Sequence, residues 1–480
     1  MTTVALSARW GRLVSESALA AIFRASLLWR LIAERLEFLA LCLIVLLMPF
    51  IPVTASAVLI LATGLLFLAR GRWRGMARLP LLKQLLVFLA VLLVLSVFSV
   101  TRRESLQLTV LFGIYMGFYL MCLTELQDER KIYILTIVFL ASVALEACFG
   151  LYQNFISKPP IDPSWVDSTA FPDILVRVFG TLDNPNILAQ YLIPGIVLGL
   201  ALVFQRSGAR GPEKGVSNNH ENMQIFNPTS NLQPPTSNLV RLSTRVLFLG
   251  GVAVAGASLV YTWSRMGWLA LGLAIAVFLL LYNWRLLLLA AAAVFLGVML
   301  RPDLLSSRLT SITNLSQDSS IFYRVQIWQV AAHMIRDFWF SGVGPGSAAF
   351  QLVYNRFYAI YGMTAFHVHN LYLEMLVEYG VFGSLIFLWL LLSYFAYSLK
   401  RVLARPGAGT AGFTKVAAIA GLASMASYLF MGLTEDCWYS FKLVFLFWFL
   451  LSMTISSARL LAREKDTTGA VTRVAGGAED

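Results

Sequence analysis

The sequence is poor in charged residues. Only 13% of its 480 residues are Asp, Glu, Lys or Arg, whereas 58% are hydrophobic and the mean hydropathy is +0.74. A soluble globular domain carries roughly a quarter charged residues. This deficit excludes an ordinary soluble protein, and the long apolar runs predict a polytopic membrane protein of the all-α class.

Cysteine is also scarce. Of the four cysteines, Cys42, Cys122 and Cys148 lie in apolar runs, and no Cys-x-x-Cys pair occurs. This excludes a disulfide framework and a cysteine metal site. The polar segments also lack Asp-x-Asp and the tight His–carboxylate spacing of zinc sites. We therefore expect neither a metal nor a cofactor, although His367 and His369, two residues apart, leave chelation open as a minor alternative.

Twelve apolar runs follow one another along the chain, and a spanning helix needs about 17–25 residues. The sequence therefore predicts about 12 transmembrane helices. The runs are 36–51, 53–69, 81–100, 106–125, 131–151, 186–205, 245–262, 266–283, 285–300, 375–399, 415–433 and 440–460.

The net charge of +12 reflects how the chain is oriented in the membrane. Lys and Arg concentrate in alternate loops, as in 70–78, and the positive-inside rule then places both termini in the cytoplasm. These cations would face anionic membrane lipids, so the basic balance does not predict nucleic-acid binding.

This topology divides the chain into a membrane domain and its flanks. Two outside loops hold most of the polar residues, and the larger of them, 301–374, is expected to be partly helical. The expected parts are an interfacial N-terminus (1–35), a membrane domain (36–460) with outside loops 152–185 and 301–374, a cytoplasmic linker rich in Asn, Pro and Ser (206–244), and a cytoplasmic tail (461–480).

Ionisable residues are almost absent from the spans themselves, and Glu146, near the outer end of its run, is the clearest exception. Ion-coupled transporters place such groups near the midplane of the membrane. The pattern disfavours that class, but a transporter or flippase for a lipid-linked solute stays an alternative.

Two outside segments each carry an arginine beside a helix. In 177–192, Arg177 precedes Asp183, Asn184 and Asn186, which are either helix caps or ligands for sugar hydroxyls. In the tight turn at 261–271, Arg265 lies between two tryptophans, either as part of an aromatic belt or as the partner of an anion.

Two further segments complete the outside chemistry. Apolar spacing predicts a helix from Tyr323 to Asp337, with Arg324 at its start and a structural His333 within it. In 367–383, His369 and Asn370 immediately precede a helix.

Gly380 and Gly383 then follow, three residues apart, where small residues let a second helix approach. Together these segments predict one site, in which arginines bind a lipid-borne diphosphate and a histidine accepts a proton.

Four motifs give a resemblance to a known family. His369, Asn370, Gly380 and Gly383 form His-Asn, nine residues, Gly-x-x-Gly, which resembles the periplasmic histidine motif of the O-antigen ligases. The segments "GTLDNPNILAQYL", "TWSRMG" and "YRVQIW…GVGPGSAAF" are similar to the family's other motifs and occur in the same order, over roughly residues 175–385.

The resemblance implies a metal-independent, inverting glycosyltransferase of the bacterial inner membrane, with its active site on the periplasmic side. Its partners would be an undecaprenyl diphosphate-linked glycan as donor, an acceptor glycolipid or glycan, and envelope-assembly proteins. Carried over, His369 is the general base, and Arg177, Arg265 and Arg324 hold the diphosphate. Asn370, Asn184, Asn186 and Asp183 would support them.

The resemblance favours an O-antigen ligase that acts on lipid A–core in lipopolysaccharide biosynthesis. An O-antigen or exopolysaccharide polymerase is the alternative, because such polymerases carry similar segments. A flippase and a non-catalytic scaffold for envelope assembly are further alternatives.

Overall fold

The computed structural model describes residues 27–160, 162, 176–205, 238–300, 319–360, 363–404 and 412–476. These residues form helices joined by turns and contain no strand, so the all-α prediction is confirmed. In chain order the α-helices are α1 (Leu27–Leu47), α2 (Val53–Ala69), α3 (Leu82–Val97), α4 (Arg102–Glu125), α5 (Glu129–Tyr152), α6 (Pro185–Phe204), α7 (Asn238–Tyr261), α8 (Arg265–Leu300), α9 (Ser319–Asp337), α10 (Ser347–Val353), α11 (Leu371–Leu403), α12 (Phe413–Met431) and α13 (Phe441–Gly476).

Shorter turns extend several of these elements. A 3₁₀ segment, Arg72–Arg78, follows α2, and π-helical turns at Gln153–Ser157 and Tyr354–Tyr358 follow α5 and α10. Eight of the described helices are long and apolar enough to span a membrane, and the bent pair Val53–Ala69 and Arg72–Arg78 would make nine. The chain is therefore a multi-pass membrane protein.

Each of the twelve apolar runs lies largely within a helix, but the eight or nine candidate spans among the described residues are fewer than the twelve predicted. Two boundaries also differ from the prediction. Runs 266–283 and 285–300 share α8, but its backbone breaks at Asn283 (φ −163°, ψ 101°), whose side chain accepts the N–H of Arg285 at 3.1 Å. The helix α7 begins at Asn238, so residues 238–244, expected in the linker, are helical. The predicted linker residues 206–237 and the predicted N-terminal residues 1–26 lie outside the described residues.

The centre of the fold is formed by α6, α12 and α13. Between 78% and 94% of the apolar window of each of these helices is buried, against 11% for α8 and 17% for α7. The helix α12 packs against α13, α8 and α6. The loop 432–440 joins two of these central helices, so its side chains lie beside the most buried part of the described fold.

The helix α11 is broken near its start, where Gly380 has φ +62° and ψ −173°. The main-chain N–H groups of Val343 and Gly344 donate to the carbonyls of Val377 and Glu378, at 2.8 and 3.0 Å. A side chain at Gly380 would collide with the carbonyl of Phe340. The expectation that Gly380 serves close helix packing is therefore wrong. The missing side chain lets the backbone at Phe340 and Gly342 approach, and the positive φ favours glycine here.

Candidate functional site

An acidic residue of the 432–440 loop lies at the centre of the site. Oε1 of Glu435 accepts a hydrogen bond from Arg324 Nη2 at 2.8 Å and another from Asn186 Nδ2 at 2.7 Å. Oε2 of Glu435 lies 3.8 Å from His369 Nδ1, an ion-pair distance rather than a hydrogen bond. One carboxylate therefore contacts three of the residues singled out from the sequence.

The surroundings of Glu435 favour its ionised form. Burial opposes ionisation, but the polar contact with His369 and the charge of Arg324 outweigh it and hold the pKa of Glu435 below its usual value. Glu435 is therefore a carboxylate at neutral pH.

Arg177 reaches this centre from the segment that precedes α6. Its Nε donates to the Thr262 carbonyl at 2.9 Å, and its Nη2 donates to Asn186 Oδ1 at 3.3 Å. Burial lowers the pKa of Arg177 to about 10; the charge of Glu435 raises it, and those of Arg265 and Arg324 lower it further. The guanidinium thus keeps its charge at neutral pH, and its charge interacts with those of Arg265 and Arg324.

Arg265 begins α8 directly after a tight turn. Ser264 caps the helix, since its Oγ accepts the N–H of Gly267 at 3.2 Å, and Trp263 adopts φ +55°. The Thr262 carbonyl that receives Arg177 belongs to the same turn. The Val178 N–H also donates to the Tyr261 carbonyl at 3.2 Å, so the two arginine motifs, far apart in sequence, meet at this turn.

The segment that carries Arg177 is fastened to α5. Gln153 accepts the N–H groups of Phe179 and Gly180 at 3.0 and 2.9 Å and donates to the Gly180 carbonyl at 3.0 Å. Glu146 accepts hydrogen bonds from the N–H and hydroxyl of Thr181. The side chains of α5 thereby fix the course of the backbone toward Arg177.

Three of the four supporting residues named from the sequence have distinct positions. Asn184 caps α6 through the N–H of Asn186 at 2.8 Å. Asn370 caps α11 through the N–H groups of Tyr372 and Leu373, both at 3.0 Å, and donates to the Leu433 carbonyl at 2.8 Å. Both are therefore structural caps, whereas Asn186 connects the charged groups.

The fourth, Asp183, has φ +63° and an exposed side chain. Its charge acts on Lys442 and Glu146.

His369 lies in a strained backbone position with φ +53°. Its ring meets the edge of Tyr323, with centroids 5.7 Å apart, and contacts the ring of His367 at 3.9 Å. The main-chain N–H of His369 donates to His367 Nδ1 at 3.2 Å, and the His367 ring stacks on Tyr439. Burial and the neighbouring His369 lower the pKa of His367 to about 3, so His367 is neutral.

The helix α9 holds Arg324 against the histidine loop. Trp328 Nε1 donates to the Val368 carbonyl at 3.0 Å, and the Tyr323 hydroxyl donates to the Thr364 carbonyl at 2.7 Å. The predicted helix 323–337 is confirmed within Ser319–Asp337. His333 is exposed on α9.

Sequence reasoning missed Glu435 and its neighbour Asp436. The signal available was a pair of adjacent acids in a loop of a few residues between two long apolar runs. Within the described part of the chain, His367, Glu374 and Asp436 also form a group of buried potential metal ligands whose ligand atoms all lie within 4.8 Å of one another. Burial raises the pKa of Asp436 to about 7.

Comparison with known families agrees with the motifs. Residues 250–388 match a family model described as "O-Antigen ligase". This range includes Arg265, Arg324 and His369, while Arg177 and Glu435 lie outside it. A search of curated proteins gives no match to the chain.

Proposed function

We propose that this protein is an inverting membrane glycosyltransferase of the O-antigen ligase and polymerase superfamily. The match of residues 250–388 to a family model described as "O-Antigen ligase" supports this proposal. It would move a glycan from undecaprenyl diphosphate to an acceptor hydroxyl at the periplasmic face of the inner membrane. The acceptor we favour is lipid A–core, which makes the protein an O-antigen ligase in lipopolysaccharide biosynthesis.

One observation carries the proposal: Arg324 pairs with Glu435 beside His369, Arg177 is joined to the same carboxylate through Asn186, and the charge of Arg265 acts on Arg177. Arg177, Arg265 and Arg324 bring three positive charges, and Glu435 brings one negative charge. The group therefore has an excess of two positive charges, which matches the two negative charges of a diphosphate diester. Guanidinium groups bind such oxygens by paired hydrogen bonds.

The reaction follows from this placement. The acceptor hydroxyl attacks the anomeric carbon of the donor sugar while His369 Nε2 takes the hydroxyl proton. The bond between that carbon and the phosphate oxygen breaks, and the electron pair leaves with undecaprenyl diphosphate, whose charge the arginines stabilise. A single displacement inverts the anomeric centre.

Glu435 would hold His369 in the tautomer that this step needs. Its Oε2 faces Nδ1 of His369, so a proton on Nδ1 leaves Nε2 free to act as the base. The imidazolium that forms is stabilised by the same carboxylate, as in other base–orienting-acid pairs. No metal is required at the diphosphate in this scheme, because the arginines supply the positive charge.

The decisive experiment compares two histidine variants in proteoliposomes supplied with an undecaprenyl diphosphate-linked glycan and lipid A–core. His369→Ala is expected to abolish transfer, whereas His333→Ala, a control exposed on α9, should keep wild-type activity. Full transfer by His369→Ala would remove the general base from the mechanism.

The same assay separates the alternatives. Omission of lipid A–core leaves the lipid-linked glycan as both donor and acceptor, and elongated chains in that reaction would identify a polymerase instead of a ligase. Translocation of a fluorescent lipid-linked glycan without any transfer product would favour a flippase.

A further inference from the structure

A second cluster of ionisable residues lies beside His367, where ligand atoms of His367, Glu374 and Asp436 are within 4.8 Å of one another. Glu374 and Glu378 are one turn apart at the start of α11, and Asp436 comes from the 432–440 loop. All three side chains are buried, with exposed fractions of 3%, 6% and 8%. They belong to neither the diphosphate group nor the proton transfer proposed above.

These carboxyl groups have no cationic partner. Among the ion pairs of the described residues, none includes Glu374, Glu378 or Asp436. Glu374 Oε2 accepts the main-chain N–H of Val368, but Oε1 is buried without a hydrogen-bond partner. Buried carboxylates are normally paired with a cation or bound to a metal.

The space beside them suits an ion with its water shell. A cavity of about 170 Å³ is lined by all three carboxyl groups, and also by Glu104, Trp438 and Tyr439. A water molecule takes about 30 Å³ of liquid, so the cavity has room for several waters next to the ligands. Hard divalent cations bind through carboxylate and water oxygens in this way.

His367 lies next to these carboxyl groups but is not the principal ligand. Its Nδ1 accepts the N–H of His369, which places the proton of the neutral ring on Nε2. Both ring nitrogens of the neutral imidazole are then occupied, so the carboxylate oxygens provide the affinity for a cation.

We propose that Glu374, Asp436 and Glu378 form a binding site for a hard divalent cation, of the class of Mg²⁺, Ca²⁺ and Mn²⁺. The cation joins the start of α11 to the 432–440 loop and so connects the elements that carry His369 and Glu435. It has a structural role, separate from the diphosphate, and the inference does not depend on the proposed transfer reaction.

Terbium luminescence tests this site directly, because Trp438 and Tyr439 line the cavity and would sensitise a bound Tb³⁺. The full-length protein, stripped with chelator, is titrated with Tb³⁺ and then with Ca²⁺ or Mn²⁺ as competitor. The compared proteins are the wild type, Glu374→Gln, Asp436→Asn and a control, Glu104→Gln, which alters an exposed carboxylate of the same cavity.

We expect saturable emission from about one site in the wild type and in Glu104→Gln, reversed by the competitors. Removal of a ligand charge in Glu374→Gln or Asp436→Asn should weaken binding by about tenfold or more. Added Ca²⁺ or Mn²⁺ should also raise the melting temperature of the wild type, but not of these two variants.

Two results would overturn the site: a wild-type protein without saturable emission, or ligand variants that bind as tightly as the wild type. The neutral amides relieve repulsion between buried carboxyl groups, so both variants should fold. Their melting temperatures without added cation verify this independently of glycan transfer.

Discussion

Asn186 donates its side-chain amide to Glu435 across 2.7 Å, while its amide oxygen accepts a hydrogen bond from Arg177 at 3.3 Å. One uncharged side chain thus joins a cation and an anion from different parts of the chain. It thereby links the Arg177 guanidinium to the Glu435 carboxylate through a single side chain.

Replacement of Asn186 by Ala should therefore reduce catalysis more than stability. A hydrogen bond to a charged group contributes about 1.5–3 kcal/mol, which corresponds to a fall of roughly 10- to 100-fold in kcat/KM. Transfer kinetics of Asn186→Ala, Glu435→Gln and the double variant would measure the coupling. Additive losses in the double variant would show that Asn186 does not act through Glu435.

Arg265→Lys should lose activity although it keeps the positive charge. A lysine ammonium does not reproduce the planar fork with which a guanidinium holds two phosphate oxygens. We expect kcat to fall by about tenfold or more. The control is Arg336→Lys, since Arg336 is 81% exposed and its partner Asp337 is its neighbour in sequence. Equal activities of the two variants would argue against diphosphate binding by Arg265.

Gln153→Ala should raise the KM for the lipid-linked donor. The change leaves the N–H groups of Phe179 and Gly180 and the Gly180 carbonyl without their side-chain partner, at about 1–3 kcal/mol for each buried group left unpaired.

The backbone segment that carries Arg177 should then be less well positioned, so both donor affinity and kcat should fall. Gln107→Ala, at an exposed position of α4, provides the control. A Gln153→Ala variant with a lowered melting temperature but unchanged kinetics would indicate a role in folding alone.

Gly380→Ala should destabilise the protein, because alanine is strained at φ +62° and its Cβ would meet the Phe340 carbonyl. The expected cost is about 2 kcal/mol or more. Gly272→Ala, in α8 with open space at its Cβ, should be neutral or slightly stabilising, since alanine favours a helix. Thermal unfolding of the detergent-solubilised proteins compares the two, and matching melting temperatures would contradict the strain at Gly380.

The sequence by itself determined the class of the protein and singled out most residues of the candidate site. The long apolar runs leave helices as the only way to satisfy the backbone in lipid, and the spacing in 323–337 already indicated α9. The family motifs pointed to His369, Arg177, Arg265 and Arg324 because these side chains stand out in an apolar chain.

Only the tertiary structure decided how these groups are connected. Glu435 is far from His369 in sequence, and the adjacent acids at 435–436 do not show which residues they will contact. Glu435 meets Arg324, Asn186 and His369 because the loop between α12 and α13 lies beside the first turns of α6, α9 and α11. Asn370 and Asn186 look equivalent as residues before or within a first helical turn, yet one caps a helix and the other bridges two charges. Helix-forming patterns depend on neighbours within a few residues, whereas ion pairs depend on which helix ends pack together.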